Sequence, residues 1–330
     1  MLQTQPKSLI VVLSRGRPNL QVMKTTIYTH NSGLNHDTGF SHPERAERLT
    51  AVFSVLDGSA YAPLPRGDVY AASEEQILRA HPMHYIDHIR DSVPDRGHAQ
   101  IDDDTILSPG SWAAALHAAG AVCAAVDDVA TGKTTRAFCA MRPPGHHAEP
   151  ATSMGFCLFN NIFIGARHAQ EAHGLQKIAI VDFDVHHGNG TDAMTRRHNG
   201  SILFISTHQY PLWPMTGLEE DNDESVLNFT LPPDSGSERF RTLYENKVFP
   251  ALNRFAPDLL MISAGFDAHR DDPLAQLNLT EDDFTWVTRE LAAIANTHCK
   301  GQVISVLEGG YNLDALKTCV DAHLSALIAD

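Results

Sequence analysis

The chain has 330 residues, 43% of them hydrophobic, enough to bury one large α/β core or two modest ones. Its formal net charge of −15 argues against a nucleic-acid binder that relies on phosphate contacts. The charge suits cationic substrates, whose local concentration a negative field raises, although acidity also simply aids solubility. Five cysteines, at 123, 139, 157, 299 and 319, form no CxxC pair and suit buried thiols in a reducing compartment.

The opening run "LIVVL" is too short for a signal segment, and no apolar stretch is expected to span a bilayer, so a cytoplasmic soluble protein is expected. "MKTTIYTHNSG" from Met23 reads as a first strand. Residues 1–22 are then a peripheral extension, and 23–330 a single catalytic domain. The first strand is expected over Thr25–Thr29. "SWAAALHAAGAVCAAVDDVATG" follows as a helix that stops near Gly132. A strand over Arg136–Met141 precedes "NNIFIGARHAQEAHG", a helix opened by Asn and closed by Gly. Strands are expected at Lys177–Asp184, Ser201–Ser206, Asp258–Ser263 and Gln302–Leu307, with helices around Glu238–Phe255, Thr280–Thr297 and Leu313–Ala329. The strands are rich in Val, Ile and Leu and nearly continuous, as strands buried on both faces are. The β-α-β order implies an α/β fold, its mostly parallel central sheet flanked by helices on both faces.

Polar residues follow the strands. "AFCAM" leads into "RPPGHH", "IAIVDFD" into "VHHGNG", "ILFIS" into "THQY", "LLMIS" into "AGFDAHRDDP", and "VISVL" into "EGGYN". Open α/β sheets bind ligands at the carboxyl ends of their strands, so these loops converge on one crevice. Asp182, Asp184 and His186 share a face of an extended chain. A carboxylate beside an imidazole suits zinc, and Asp267 in "SAGFDAH" is the best third ligand, leaving one position open. An isolated Asp-x-His is ordinarily a structural hydrogen-bonded pair; the clustering at several strand ends favours the metal. Pro143, Pro144 and Gly145 stiffen the loop that carries His146 and His147, imidazoles suited to moving protons near neutrality. Tyr311 follows Gly309 and Gly310 on a loop of little bulk.

The stretches "RPPGHHA", "MGFCLFNN", "VDFDVHHGNG", "SAGFDAHRDDPLAQLNLT" and "LEGGYN" resemble the zinc-dependent histone deacetylase family. The match is nearest its class II members and the bacterial histone deacetylase-like amidohydrolases, and it runs from "HPERAERL" to the final helix. The resemblance implies an arginase-deacetylase fold and hydrolysis of N-acyl-lysine or acetylpolyamine amides. It makes Asp184, His186 and Asp267 the ligands of one Zn²⁺ and Tyr311 the group that polarises the acyl carbonyl. His146 and His147 become the tandem histidines, backed by Asp182 and by Asn189, where class I members carry Asp. Gly155 and Phe156 form one tunnel wall; Trp213 stands where the opposing aromatic is usually Phe, and Gly309 also borders the tunnel. Asp104 takes a rim position, and Arg48 a buried position behind the site. A structural K⁺ is implied around Asp182, Asp184, His186, Ser206 and Thr207. Seven residues after the third ligand, where polyamine-selective relatives place a Glu, this chain has Leu274, which favours acyl-lysine.

A binuclear manganese ureohydrolase would need an Asp where His269 stands. An inactive acyl-binding scaffold would lack a ligand or the tyrosine, and all are present. Neither a nucleic-acid nor a membrane partner is implied, while a homo-oligomer is compatible with the resemblance.

Overall fold

A computed structural model describes residues 24–198 and 200–329, so the extension read over 1–22 lies outside the described residues. The six apolar runs all form strands, five within two residues of their expected bounds and the one read as Ser201–Ser206 running three residues further, to Gln209. In chain order the strands are β1 (Thr25–Tyr28), β2 (Ala99–Gln100), β3 (Ile106–Leu107), β4 (Arg136–Cys139), β5 (Ile178–Asp182), β6 (Ile202–Gln209), β7 (Val226–Leu231), β8 (Leu259–Ala264) and β9 (Val303–Leu307). Seven of them make one sheet in the order β1-β4-β9-β8-β5-β6-β7, every pair parallel. The β2–β3 pair is a separate two-residue antiparallel ladder. β7 is the strand the sequence pattern does not announce. It lies at the sheet edge and has two partly buried residues, Leu227 and Thr230, among its buried ones, unlike the fully buried central strands.

The two faces of the sheet carry separate cores. On one, Ile178 and Ile180 pack with Val122, Val126, Ile162 and Phe163 from the helices Ser111–Ala130 and Asn161–His173. On the other, Ala179 and Val181 pack with Val287, Leu291, Leu316 and Val320 from the helices Glu281–His298 and Leu313–Ile328. At about 25 cal/mol per Å² of apolar surface removed from water, such two-sided burial is the main force holding the sheet. The helix Ser111–Ala130 is long and apolar enough to cross a bilayer, contrary to the sequence expectation; 67% of its apolar window is buried inside the protein, so it is a core helix.

The cap signals act where they were read. Asn160 Oδ1 accepts the Phe163 N–H at 3.1 Å, and Gly174 closes that helix with φ 70°. Thr280 and Asp283 form a capping box. The segment read as one helix over Glu238–Phe255 instead contains a π-turn at Tyr244–Val248. Pro250, just beyond it, has no N–H to donate back into the turn. The wide turn brings the Tyr244 hydroxyl within 2.9 Å of Thr207 Oγ1, at the end of β6.

Candidate active site

β5 ends at Asp182, and the chain then turns through Asp184, His186 and His187 instead of continuing as strand. Asp267 follows β8, and Gly309 to Tyr311 follow β9. Three adjacent strand ends therefore meet at one place. One ligand atom from each of Asp184, His186 and Asp267 lies within 4.8 Å of the others, and all three residues are buried. His186 Nδ1 lies 3.2 Å from Asp184 Oδ1 and 3.0 Å from Asp267 Oδ2.

Backbone donors aim the carboxylates. Gly309 N–H donates to Asp184 Oδ2 at 2.8 Å, and Val185 N–H to Asp267 Oδ1 at 2.9 Å. A Cβ on Gly265 would sit 1.9 Å from Asp184 Oδ2, and one on Gly309 would sit 2.2 Å from Asp267 Oδ2. Glycine is thus required here by the space the carboxylates occupy. Two buried carboxylates cost several kcal/mol unless cations face them. Burial opposes the charge on His186, but Asp184 and Asp267 outweigh it and hold the imidazolium up to about 10. Asp267 is pushed up to about 7, by burial first and by the Asp184 charge. The cluster draws in positive charge, and two carboxylates with one imidazole are a donor set for a divalent cation with an open position. The residues fit the implied metal.

His146 and His147 stand beside this group, their ring centroids 3.9 Å apart. His146 Nδ1 is 2.9 Å from Asp182 Oδ2. Burial lowers its proton affinity, yet Asp182 and Asp184 prevail and raise it to about 10. His147 Nδ1 is 2.9 Å from Asn189 Oδ1, and burial with the neighbouring His146 and His186 charges drives its pKa well below the usual value. The pair is therefore split into a cationic and a neutral imidazole. Glu308 was not anticipated from sequence: buried under the site, it accepts the N–H groups of Gly145 at 2.7 Å and His146 at 3.2 Å, fixing the turn that carries both rings.

Tyr311 is half-buried, and its phenol is raised well above the usual value, burial outweighing Arg48 with help from Asp267 and Asp184. It stays protonated and able to donate. Arg48 lies with its guanidinium 4.9 Å over the Tyr311 ring and donates to the carbonyls of Gly310 and Glu308 at 2.6 and 2.5 Å. Buried Glu44 pairs with Arg48 and Arg142, an ion cluster that the sequence disclosed only at Arg48. Asp272 Oδ2 accepts the Tyr311 N–H at 2.7 Å while its Oδ1 accepts the Leu274 N–H at 3.0 Å. The structure thereby ties Leu274 to the tyrosine loop.

Gly155 has φ 57° and Phe156 φ 68°, a left-handed pair that costs energy at Phe156 and is held by its surroundings. The Asp104 carboxylate contributes, Oδ1 accepting the Gly155 N–H at 3.0 Å. Asp102 caps the turn that carries Asp104 by accepting the Asp104 and Thr105 N–H groups. Of the three aspartates, only Asp103 is exposed. Phe156 meets Tyr311 edge-on at 5.8 Å, and Trp213 meets His147 edge-on at 4.8 Å, which places apolar walls on two sides of the histidine and tyrosine. Asp182 and Ser206 are register partners in the sheet, and Thr207 Oγ1 lies 3.4 Å from the Asp182 carbonyl. His269 turns away from the metal group, its Nδ1 accepting the Asp271 N–H at 3.2 Å and its Nε2 lying 3.6 Å from Glu281.

Comparison with known proteins agrees with this geometry. A histone deacetylase domain matches residues 42–327. The chain is 37% identical to the histone deacetylase-like amidohydrolase of Pseudomonas aeruginosa, over 82% of this chain and 73% of that protein. It is also 37% identical to type-2 histone deacetylase 2 of Dictyostelium discoideum, over 93% of this chain but only 21% of that much longer protein. The crystal structure of the HDA15 HD domain superposes with a TM-score of 0.86 at 31% identity, covering 93% of this chain and 88% of that one. The chain belongs to the histone deacetylase family, a family of amide hydrolases, and has its arginase-deacetylase α/β fold.

Proposed function

We propose that the protein is a zinc-dependent deacetylase that removes acyl groups from N-ε-acyl-lysine side chains. The convergence of Asp184, His186 and Asp267 beside a neutral His147 carries this reading. A bound zinc ion would be held by those three residues and would supply Lewis acidity, polarising the acyl carbonyl and acidifying water. His147 keeps the Nδ1 proton on Asn189, which leaves Nε2 as a base for the attacking water and then as the acid for the leaving amine. His146, charged through Asp182, is a fixed positive group beside the developing negative charge. Tyr311 donates its phenolic proton in a hydrogen bond to the oxyanion. A K⁺ is assigned to the oxygens around Asp182, Asp184, His186, Ser206 and Thr207, where it would stiffen the end of β5.

The orientation of His269 away from the ligand group favours one metal over two, and so a deacetylase over a ureohydrolase. Leu274 beside the tyrosine loop favours the apolar stem of an acyl-lysine over the cationic chain of an acetylpolyamine. The test measures bound metal and kcat/KM for an acetyl-lysine peptide, acetylputrescine and acetylspermidine. One zinc per chain and preference for the peptide are expected. A tenfold preference for a polyamine, about 1.4 kcal/mol, overturns the substrate. Two bound transition ions with activity on a guanidino compound overturn the reaction.

A further inference from the structure

His146 rests directly on a carboxylate, whereas His147 rests on a neutral amide whose two ends have opposite hydrogen-bonding character. An Asn at position 189 orients His147 correctly only if its oxygen, not its NH₂, faces Nδ1. With the NH₂ turned inward, Nδ1 must accept, the proton moves to Nε2, and the atom needed as base is blocked. Something must therefore choose the amide's orientation, and that choice falls to the hydrogen-bond partners around it.

We infer that Glu149 is the positioning residue that makes this choice and so sets the tautomer of the base. Its Oε1 lies 2.9 Å from Asn189 Nδ2. An ionised carboxylate accepts and never donates, so it takes the NH₂ and repels the amide oxygen. Asn189 Nδ2 also lies 3.4 Å from the His147 carbonyl and 3.1 Å from Met154 Sδ, both acceptors. All three partners select the same orientation, with Oδ1 toward His147 Nδ1, and Glu149 is the charged one. Glu149 is in turn placed by the antiparallel bridge between residues 149 and 152, and it lines a cavity of about 410 Å³ together with Asn189, His187 and Asp192. The negative charge that His146 receives from Asp182 at first hand thus reaches His147 across one amide. There it directs the ring without drawing a second proton onto it.

This inference deepens the proposed deacetylase reading, since it takes His147 as the base. The decisive variant is Glu149→Gln, which keeps size and hydrogen bonding but can both donate and accept, and so no longer distinguishes the two amide orientations. In the wild-type background it is expected to lower kcat about tenfold with KM little changed, the effect of one charge-assisted hydrogen bond. In the Asn189→Asp background the sign reverses. There two carboxylates oppose each other, position 189 has no orientation to choose, and Glu149→Gln raises kcat by restoring a donor.

A second readout is independent of turnover. Imidazole ¹⁵N shifts of His147 report the Nδ1–H form in the wild type and a mixture in Glu149→Gln. Loss of kcat of equal size in both backgrounds, or an unchanged tautomer with unchanged kcat, overturns the inference. If the wild-type protein hydrolyses no acyl amide, the deacetylase reading falls, and the ¹⁵N measurement still decides the role of Glu149.

Discussion

Two regions of this molecule pass the same geometric test and differ in kind. Asp184, His186 and Asp267 at the strand ends, and Asp127, His168 and His173 between two helices, each bring three ligand-type atoms within 4.8 Å. In the second group both imidazole Nε2 atoms lie 2.7 Å from a single oxygen, Asp127 Oδ1. The Arg79 guanidinium contacts His168 Nδ1. Arginine has no acceptor, so Nδ1 must accept and the His168 proton must sit on Nε2, aimed at Asp127. The hydrogen on the atom a metal would need is held there by a fixed cation behind the ring, which also repels a second cation. At the strand ends the balance is reversed: two carboxylates face one imidazole, backbone N–H groups hold them apart, and glycines leave room. Ligand spacing is thus a necessary condition, and the proton inventory around it decides.

The contrast breaks most sharply by deleting ligands. Asp184→Ala or Asp267→Ala should abolish tight metal binding and lower kcat/KM by about a thousandfold or more, since the Lewis acid is lost with its site. Metal analysis beside a peptide assay checks both, and a variant retaining stoichiometric zinc with full activity contradicts the assignment. Next in size, Tyr311→Phe should keep the metal and lose about a hundredfold in kcat, one oxyanion donor. Its affinity for a hydroxamate should persist, which separates the donor's role from metal binding.

A third experiment uses a buried imidazole with neutral partners only. His323 sits between Thr288 Oγ1 at 2.7 Å and Ser305 Oγ at 2.8 Å, and burial lowers it to about 3. Its folded pKa lies below the unfolded one, so the unfolded chain binds the extra proton as pH falls below the usual histidine range. Stability from this group is complete above about 6.5 and is lost toward 3, by up to about 1.4 kcal/mol per pH unit. His323→Gln should flatten the acid limb of a denaturation profile; an unaltered slope excludes the role. The smallest effect is expected at the second cluster. Asp127→Asn should leave metal content unchanged and kcat/KM within about twofold, with a stability loss of about 1–2 kcal/mol from weakened charge-assisted bonds. A drop in bound metal there would erase the distinction drawn above.

What the amino-acid sequence discloses follows the range of the interaction. The central strands are legible because both faces are buried and their apolar runs are unbroken. β7 is not, because as an edge strand it mixes buried with partly exposed positions. Asp184, His186, Asp267 and the tandem histidines are legible because they follow strands in short, dense motifs. Glu308, Glu44 and Asp272 are opaque because each works through atoms far away in the chain: Glu308 on Gly145, Glu44 on Arg142, Asp272 on Tyr311. Glu149 stands two residues after His147, yet its partner Asn189 arrives only through the fold. The resemblance gives Asp104 a rim position, and in the fold one of its oxygens holds the Gly155 N–H.

The strand-end cluster also has a mechanical consequence. Asp184 and Asp267 come from β5 and β8, and Gly309, which braces Asp184, follows β9. A cation bound there is a removable staple across three strands, closing loops in the chain that a reduced set of cysteines leaves open. Because the unfolded chain has no such preformed grip, metal affinity converts into folding free energy as RT ln(1 + [M]/Kd). The melting temperature should therefore climb with the logarithm of free zinc, and chelation should loosen β5, β8 and β9 together while the distal edge at β1 exchanges its amides much as before.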